Sequence, residues 1–388
     1  MRVGLVCPYS LTIPGGVQGQ VMGLARSLRR MGVEARVLAP CDGPPPDESV
    51  TPLGNSLPTA ANGSVAPLAP DPPAQLRTIR VLRDEQFDVL HLHEPLAPGP
   101  TNTAAVMKSA PLLGTFHRAG HSTAYRYLRP IVRAVANRLD HRCAVSEDAR
   151  RLAQSQLGGR YEVVFNGVEF DAPSAGSFAT PCPTVFFVGR HEPRKGLAVL
   201  IDALEHLPDE VRLWVGGDGP GTESLRARTG RDPRVEWLGR ISDAEKQARL
   251  RGADVFCAPS LFGESFGVVL LEAMAARTPI VASDLHAYAI VARPGRDALL
   301  TAPGDPAALA AALKRVLFDP DVAAGLVTSG WDRAQQFSMD ALAERYVEIY
   351  ADLASRGAIH APRRSWWAKS KREGVGSLPA KSKREGVG

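Results

Sequence analysis

Short apolar runs alternate with stretches of helical periodicity along most of the chain. In the first half, Val3–Cys7, Glu34–Leu38, Val89–His91, Leu112–Thr115 and His141–Val145 read as strands, with a helix over Gln18–Met31 between the first two. This βαβ alternation predicts parallel sheets in an α/β fold. Periodicity stops in the Pro/Gly/Ser/Ala-rich passage from Ala172 to Pro183, which is the expected domain linker. A second series follows in Thr184–Gly189, Arg212–Val215, Val235–Leu238, Val255–Ala258 and Pro279–Ala282, closed by helices near 307–317 and 339–355. The expected division is an N-terminal domain over 1–171, a linker over 172–183, a second domain over 184–338, a last helix over 339–360 and a tail over 361–388. Proline-rich Pro44–Pro73 reads as surface loop. In the tail, Ala368–Gly376 recurs verbatim at Ala380–Gly388, a repeat with almost no apolar side chains and therefore expected to be disordered.

Composition refines this picture without changing it. At 388 residues, with 44% apolar and 22% charged side chains, the chain has material for two globular α/β domains. Arg2–Cys7 reads as a buried strand rather than the start of a signal peptide. No stretch approaches the ~18 uncharged apolar residues of a spanning helix. The net charge of +5 is smaller than the excess in the tail, where eight basic side chains oppose Glu373 and Glu385. The body is near neutral, which argues against a nucleic-acid partner. Five scattered cysteines without CxxC spacing argue against disulfides or a zinc site and suit a reducing cytoplasm.

The densest chemistry is Glu264-Ser265-Phe266-Gly267-Val268, continuing through Val-Leu-Leu to Glu272. Ser265 reads as the N-cap of a helix whose free amides near Phe266 and Gly267 suit a diphosphate. Glu264 can accept hydrogen bonds from sugar hydroxyls, and Glu272, two turns deeper, from a ribose diol. Each glutamate alone would favour a solvated surface position; the whole string favours a ligand. Gly189-Arg190-His-Glu-Pro-Arg194-Lys195-Gly196 follows an apolar strand, where open α/β sheets bind ligands, and Arg190 and Lys195 there can neutralise a departing diphosphate. In the first domain, the turn from Tyr9 to Gln18 carries Gly15 and Gly16, which let backbone amides approach phosphate or sugar closely.

His117, at the end of an apolar strand, either contacts a sugar or is a structural histidine. His91, His93 and Glu94 form a trio with metal-ligand character, although strand-end clusters of this kind are more often structural or substrate-facing, and no metal is expected. Asp319-Pro320-Asp321 reads as a turn rather than a metal–diphosphate handle. Asn166-Gly167-Val168 and Gly216–Pro220 are tight turns that either line a crevice or simply reverse the chain.

Together these segments resemble the retaining GT-B glycosyltransferases with a Glu-x7-Glu donor motif, over roughly residues 1–355. They are most similar to actinobacterial phosphatidylinositol mannosyltransferases, through Val6–Ser10, Pro14–Gln18, Phe87–Pro95, Thr115–His117, Glu192–Gly196 and Gly263–Ala276. The resemblance implies two Rossmann-like domains across a cleft, with the final helix returning to the first. It implies that Arg190 and Lys195 bind the diphosphate of a nucleotide sugar, GDP-mannose in that family. Glu264 and His117 would then contact the sugar, Glu272 the ribose and Gly16 the phosphate from the opposite wall. Tyr9, Gln18, Asn62 and Ser64 would meet the acceptor, a lipid at the cytoplasmic face. Attack on the face that the diphosphate leaves would require no protein nucleophile, cofactor or metal. A UDP-sugar donor, a soluble polyol or glycan acceptor, or a non-catalytic binding protein stay open as alternatives.

The family's Tyr-Asn-Gly-Ser-Val-Ala-Arg loop is here Ala61-Asn-Gly-Ser-Val-Ala-Pro67, so one aromatic and one arginine able to grip a phosphodiester are absent. Arg77, Arg80 and Arg83 share a helix face, and Arg363-Arg364-Ser-Trp366-Trp367 pairs basic with aromatic residues. Both suit either an anionic membrane surface or water.

Overall fold

The computed structural model describes residues 1–61, 64–118, 129–170, 176–178 and 180–360. Two parallel sheets dominate. The first contains β1 (Arg2–Val6), β2 (Glu34–Ala39), β3 (Val50–Pro52), β6 (Val89–His93), β7 (Leu112–Phe116), β8 (His141–Ala144) and β9 (Glu162–Val163), in the order β3-β2-β1-β6-β7-β8-β9. The second contains β10 (Thr184–Val188), β11 (Arg212–Gly216), β12 (Val235–Gly239), β13 (Val255–Ala258), β14 (Ile280–Ser283) and β15 (Leu299–Thr301), in the order β12-β11-β10-β13-β14-β15. Each first strand thus lies between its sequence successor and a later strand, β1 between β2 and β6 and β10 between β11 and β13. Connections leave such a strand pair in opposite directions and open a crevice beyond the carboxyl ends.

Continuous apolar strands follow from burial on both faces. Val3 and Leu5 of β1 pack in one cluster and Val6 in another; Val185 and Phe187 of β10 face away from Phe186. Period-two alternation sends neighbours to opposite faces, and helices cover both.

Pro44–Pro73, expected as loop, contains β3 and an antiparallel hairpin, β4 (Leu57–Ala61) with β5 (Ser64–Leu68). Its prolines fall where a missing N–H costs no ladder bond. Pro52 ends the edge strand β3, and Pro58 and Pro67 oppose each other in a two-stranded ribbon. Asp319 joins two helices, capping Pro320–Gln335 by accepting from the Val322 amide at 3.2 Å.

The last helix, Met339–His360, leaves the second domain and packs on the first. Met339, Ala343, Tyr346, Tyr350 and Leu353 recur at helical spacing and enter the β1–β2 core with Leu24 and Leu28 of helix Gly16–Arg30. The crossing is fixed at its root, where Val168 N–H donates to Phe337 O at 2.8 Å and Met339 N–H to Val168 O at 2.8 Å. Buried Gln20 donates to Gly167 O at 2.7 Å and accepts from Gly167 N–H at 2.9 Å. The Asn166–Val168 turn is therefore a joint between the first domain, the second domain and the returning helix. No helix among the described residues is long and apolar enough to cross a membrane.

Candidate functional site

In the second domain, the loops after β10 and β13 flank the crevice. Gly196 has φ +69°, and a Cβ there would lie 1.8 Å from Pro259 O. Only glycine allows this approach, which sets Lys195 beside the segment leading to Glu264. Lys195 Nζ donates to Glu264 Oε1 at 2.7 Å, Ser260 Oγ to the same oxygen at 2.9 Å, and Arg194 lies at 3.5 Å. Tyr288 Oη donates to Ser260 Oγ at 3.0 Å and holds that hydroxyl in place. Burial pushes the Glu264 carboxyl upward, but Lys195 and Arg194 outweigh it and the net direction is down, so Glu264 is an anion. Glu192, almost fully buried, accepts from Arg194 Nε at 2.9 Å and lies 3.1 Å from Arg190 Nε. Arg190 and Lys195 thus stand on one loop, but Lys195 alone of the two touches Glu264.

The helix after Glu264 starts at Val268, and its N-cap is Gly267 with φ +93°. Ser265 lies two residues too early to cap it, which corrects the sequence expectation. The left-handed turn at Gly267, pressed against Tyr288, sets the helix start. Backbone amides at Gly267 and Val268 open the helix without a side-chain cap, keeping the dipole's positive end available to an anion. Phe266 is a packing residue, stacked on Phe165 of the first domain at 5.5 Å and edge-on to Phe337 at 5.8 Å.

Glu272 is gripped by Lys246, Nζ to Oε1 2.9 Å, which also reaches Asp243 at 3.1 Å. Burial pulls the Lys246 ammonium down, but the two carboxylates raise it overall, so it is charged. Sequence reading missed Lys246, whose only signal was a basic residue three positions after Asp243 on the edge of a helix. The Gly216–Pro220 turn closes against the β10 loop: His191 N–H donates to Asp218 O at 2.9 Å, and a Cβ at Gly217 would strike Gly189 O at 2.1 Å.

In the first domain, Gly15 precedes helix Gly16–Arg30, and Gln18 folds back over it, donating from Nε2 to Ser10 O at 3.3 Å and Ile13 O at 3.1 Å. Gly16 has nothing within 4 Å of a built Cβ, an open position at the end of β1. Tyr9 pairs through its backbone with Leu68, at the end of β5 opposite to Ser64, so these two expected acceptor residues are not brought together. Asn62 lies outside the described residues.

His117 follows β7, and its backbone N–H donates to Glu94 Oε1 at 2.7 Å. His117 Nε2 and His93 Nδ1 share a hydrogen bond of 3.0 Å. His93 stacks on His91 with centroids 4.1 Å apart. His91 shares hydrogen bonds of 2.7 Å with Tyr350 Oη and with Thr115 Oγ1. The trio of His91, His93 and Glu94 is thus spent on Tyr350, Thr115 and His117. Burial holds all three histidines neutral, with His117 pulled down to about 3 and His91 and His93 well below the ordinary value. Folded values below the unfolded ~6.5 mean that the unfolded chain binds more protons between them, so stability is full above ~6.5 and falls with acid. The expected loss is about 1.4 kcal/mol per histidine for each pH unit below ~6.5. Urea unfolding at pH 7.5 and 5.5 measures it; equal midpoints would contradict the neutral assignment.

Residues 14–172 match Glycosyltransferase Family 4, and residues 182–319 match Glycosyl transferases group 1. A phosphatidyl-myo-inositol mannosyltransferase of Mycobacterium leprae is 40% identical, over 92% of this chain and 98% of the relative. The chain belongs to the phosphatidyl-myo-inositol mannosyltransferase family of GT-B glycosyltransferases. The Mycolicibacterium smegmatis member is 38% identical over 92% of this chain and 95% of its own length. A D-inositol 3-phosphate glycosyltransferase of Xylanimonas cellulosilytica is 30% identical over 88% and 93%. For the GT-B fold, Anabaena HepE in complex with UDP and glucose aligns with a TM-score of 0.70 at 22% identity, covering 91% of this chain and all of that one.

Proposed function

We propose that this GT-B glycosyltransferase moves mannose from GDP-mannose to phosphatidylinositol, with retention of anomeric configuration and without a metal ion. The observation that carries the reading is the Lys195–Glu264 pair at the β10/β13 crevice. It sets a cation for a departing diphosphate beside a buried anion for sugar hydroxyls, at the uncapped start of helix Val268–Ala275. In this reading Arg190 and Lys195 neutralise the leaving diphosphate, and the amides of Gly267 and Val268 assist. Glu264 orients the sugar; Glu272, held by Lys246, takes the ribose; His117 and Gly16 approach from the first domain. Attack enters where the diphosphate departs, with a phosphate oxygen taking the acceptor proton, so neither glutamate is the acid or base. The names of the relatives support mannose and the inositol lipid. The exposed Arg77, Arg80 and Arg83 support work at an anionic inner-leaflet surface.

A second reading, a soluble inositol phosphate as acceptor, is favoured by the D-inositol 3-phosphate relative. Incubation of the purified chain with radiolabelled GDP-mannose in EDTA, with either phosphatidylinositol vesicles or free inositol phosphate, separates them. Expected is label in the lipid phase, undiminished by chelation. Label only on free inositol phosphate selects the second reading; no turnover with any nucleotide sugar, despite tight nucleotide binding, overturns both.

A further inference from the structure

We propose that His93 is a positioning residue for His117, donating its Nδ1–H to His117 Nε2 and so fixing the tautomer in which His117 offers an N–H at Nδ1 to the ligand. The inference rests on the reading that His117 meets the transferring sugar.

The argument is an accounting of ring nitrogens. One proton is available for the 3.0 Å bond between His93 Nδ1 and His117 Nε2, so one ring donates and the other accepts. Which one donates is decided by the far nitrogen of His93. His93 Nε2 is buried with no hydrogen-bond partner among the described residues. A neutral imidazole with its proton at that position would bury an orphaned N–H, while the other tautomer leaves only a bare lone pair. Orphaned donors are the rarer and costlier case. The proton therefore belongs on His93 Nδ1, pointing at His117, whose own proton must then be on Nδ1.

Neighbouring elements leave little freedom to escape this assignment. His93 is clamped between the His91 ring at 4.1 Å and the His117 ring at 5.3 Å, and His91 is itself held by Tyr350 Oη of the returning helix and by Thr115. Tyr346 Oη shares a 3.1 Å hydrogen bond with the same Thr115 hydroxyl. Glu94 accepts from the His117 backbone and therefore fixes where the ring starts, with the Arg118 charge nearby. The titratable groups around the pair are His91, itself packed on Tyr346 and Tyr350, and Glu94, which interacts with Arg118 and Tyr9. Burial keeps the histidines neutral, so the shared bond is one N–H donating to one lone pair. An N–H at His117 Nδ1 suits a sugar hydroxyl or ring oxygen as acceptor.

The test combines three variants with one spectrum. His93→Leu keeps volume and removes the bond, and His93→Asn restores an N–H near the Nδ1 position. Expected for His93→Leu is a kcat lower by roughly 10- to 100-fold, with the donor KM and the affinity for GDP within about two-fold. His93→Asn should recover most of that loss, and His117→Ala should be at least as impaired as His93→Leu. A fully active His117→Ala removes the premise that His117 touches the sugar. An impaired His117→Ala beside a fully active His93→Leu overturns the positioning role alone. Histidine-selective 15N NMR of the unsubstituted chain gives a readout independent of activity and of whether His93→Leu folds. Both rings should show a protonated Nδ1 at pH 7, with assignment by loss of signals in His117→Ala and His93→Asn. A protonated Nε2 on His117 overturns the proposal.

Discussion

Glu264→Ala is expected to lower sugar transfer by roughly 10²- to 10³-fold, the range for removing one preorganised polar group that faces the reacting centre. Affinity for the free nucleotide should stay within a few-fold. The separation follows from geometry: Glu264 is engaged by Lys195 at 2.7 Å and Ser260 at 2.9 Å, whereas Glu272, two turns deeper, is engaged by Lys246. Removing the carboxylate leaves Lys195 with no opposing charge from Glu264, so a diphosphate loses no attraction. Glu264→Gln distinguishes charge from shape. If the anion matters, Gln is nearly as impaired as Ala; if only hydrogen-bond acceptance matters, Gln recovers most activity. Because the folded carboxyl lies below its unfolded range, its stabilisation is present above about pH 4.5 and fades only as pH falls through the lower folded value. The activity comparison at pH 7 is therefore free of a protonation artefact. Single-turnover rates with isothermal titration of GDP measure both halves, and full activity in Glu264→Ala would remove the sugar contact from the mechanism.

Much of this was legible in the sequence because both domains advertise themselves through short buried strands. The βαβ rhythm marked most central strands, and the returning helix was expected from resemblance. What escaped the periodicity were segments whose structure depends on partners distant in sequence. Val50–Pro52 becomes a strand only because β2 offers it an edge, and Glu162–Val163 only because β8 does. Within the site, Glu264 and Lys195 were visible as residue types but not as a pair, since 69 positions separate them. Lys246 was invisible for the same reason. Ser265 failed as a cap because local propensity yielded to a left-handed Gly267 packed on Tyr288, a residue from another helix. His91 reads as structural or substrate-facing rather than as a metal ligand, but its partner Tyr350, 259 positions away, could not be seen in the sequence.

The backbone beneath the Lys195–Glu264 pair yields the sharpest stability prediction, Gly196→Ala. Two independent penalties meet at this residue. Its φ of +69° is left-handed, which costs a residue bearing a Cβ on the order of 1–2 kcal/mol. The added carbon would also stand 1.8 Å from Pro259 O and 2.8 Å from Pro259 C, backbone atoms with no flexible end to swing aside. Either the β10 loop or the Pro259–Ser260 segment must retreat, and Lys195 lies on one while Ser260 and Glu264 lie on or just beyond the other. The expected outcome is a loss of roughly 3 kcal/mol or more in unfolding free energy. The transfer rate should also fall by on the order of 100-fold, since a 1 Å displacement of positioning groups has that scale of effect, and donor affinity should fall with it. Gly325→Ala serves as the internal control. It lies inside helix Pro320–Gln335 with nothing within 4 Å of a built Cβ, so the alanine should stabilise by up to ~1 kcal/mol and leave donor affinity unchanged. Urea melts of the two variants should therefore move in opposite directions. A Gly196→Ala protein as stable and as avid for nucleotide as the parent would mean that the tight crossing under Lys195 does not hold the pair together.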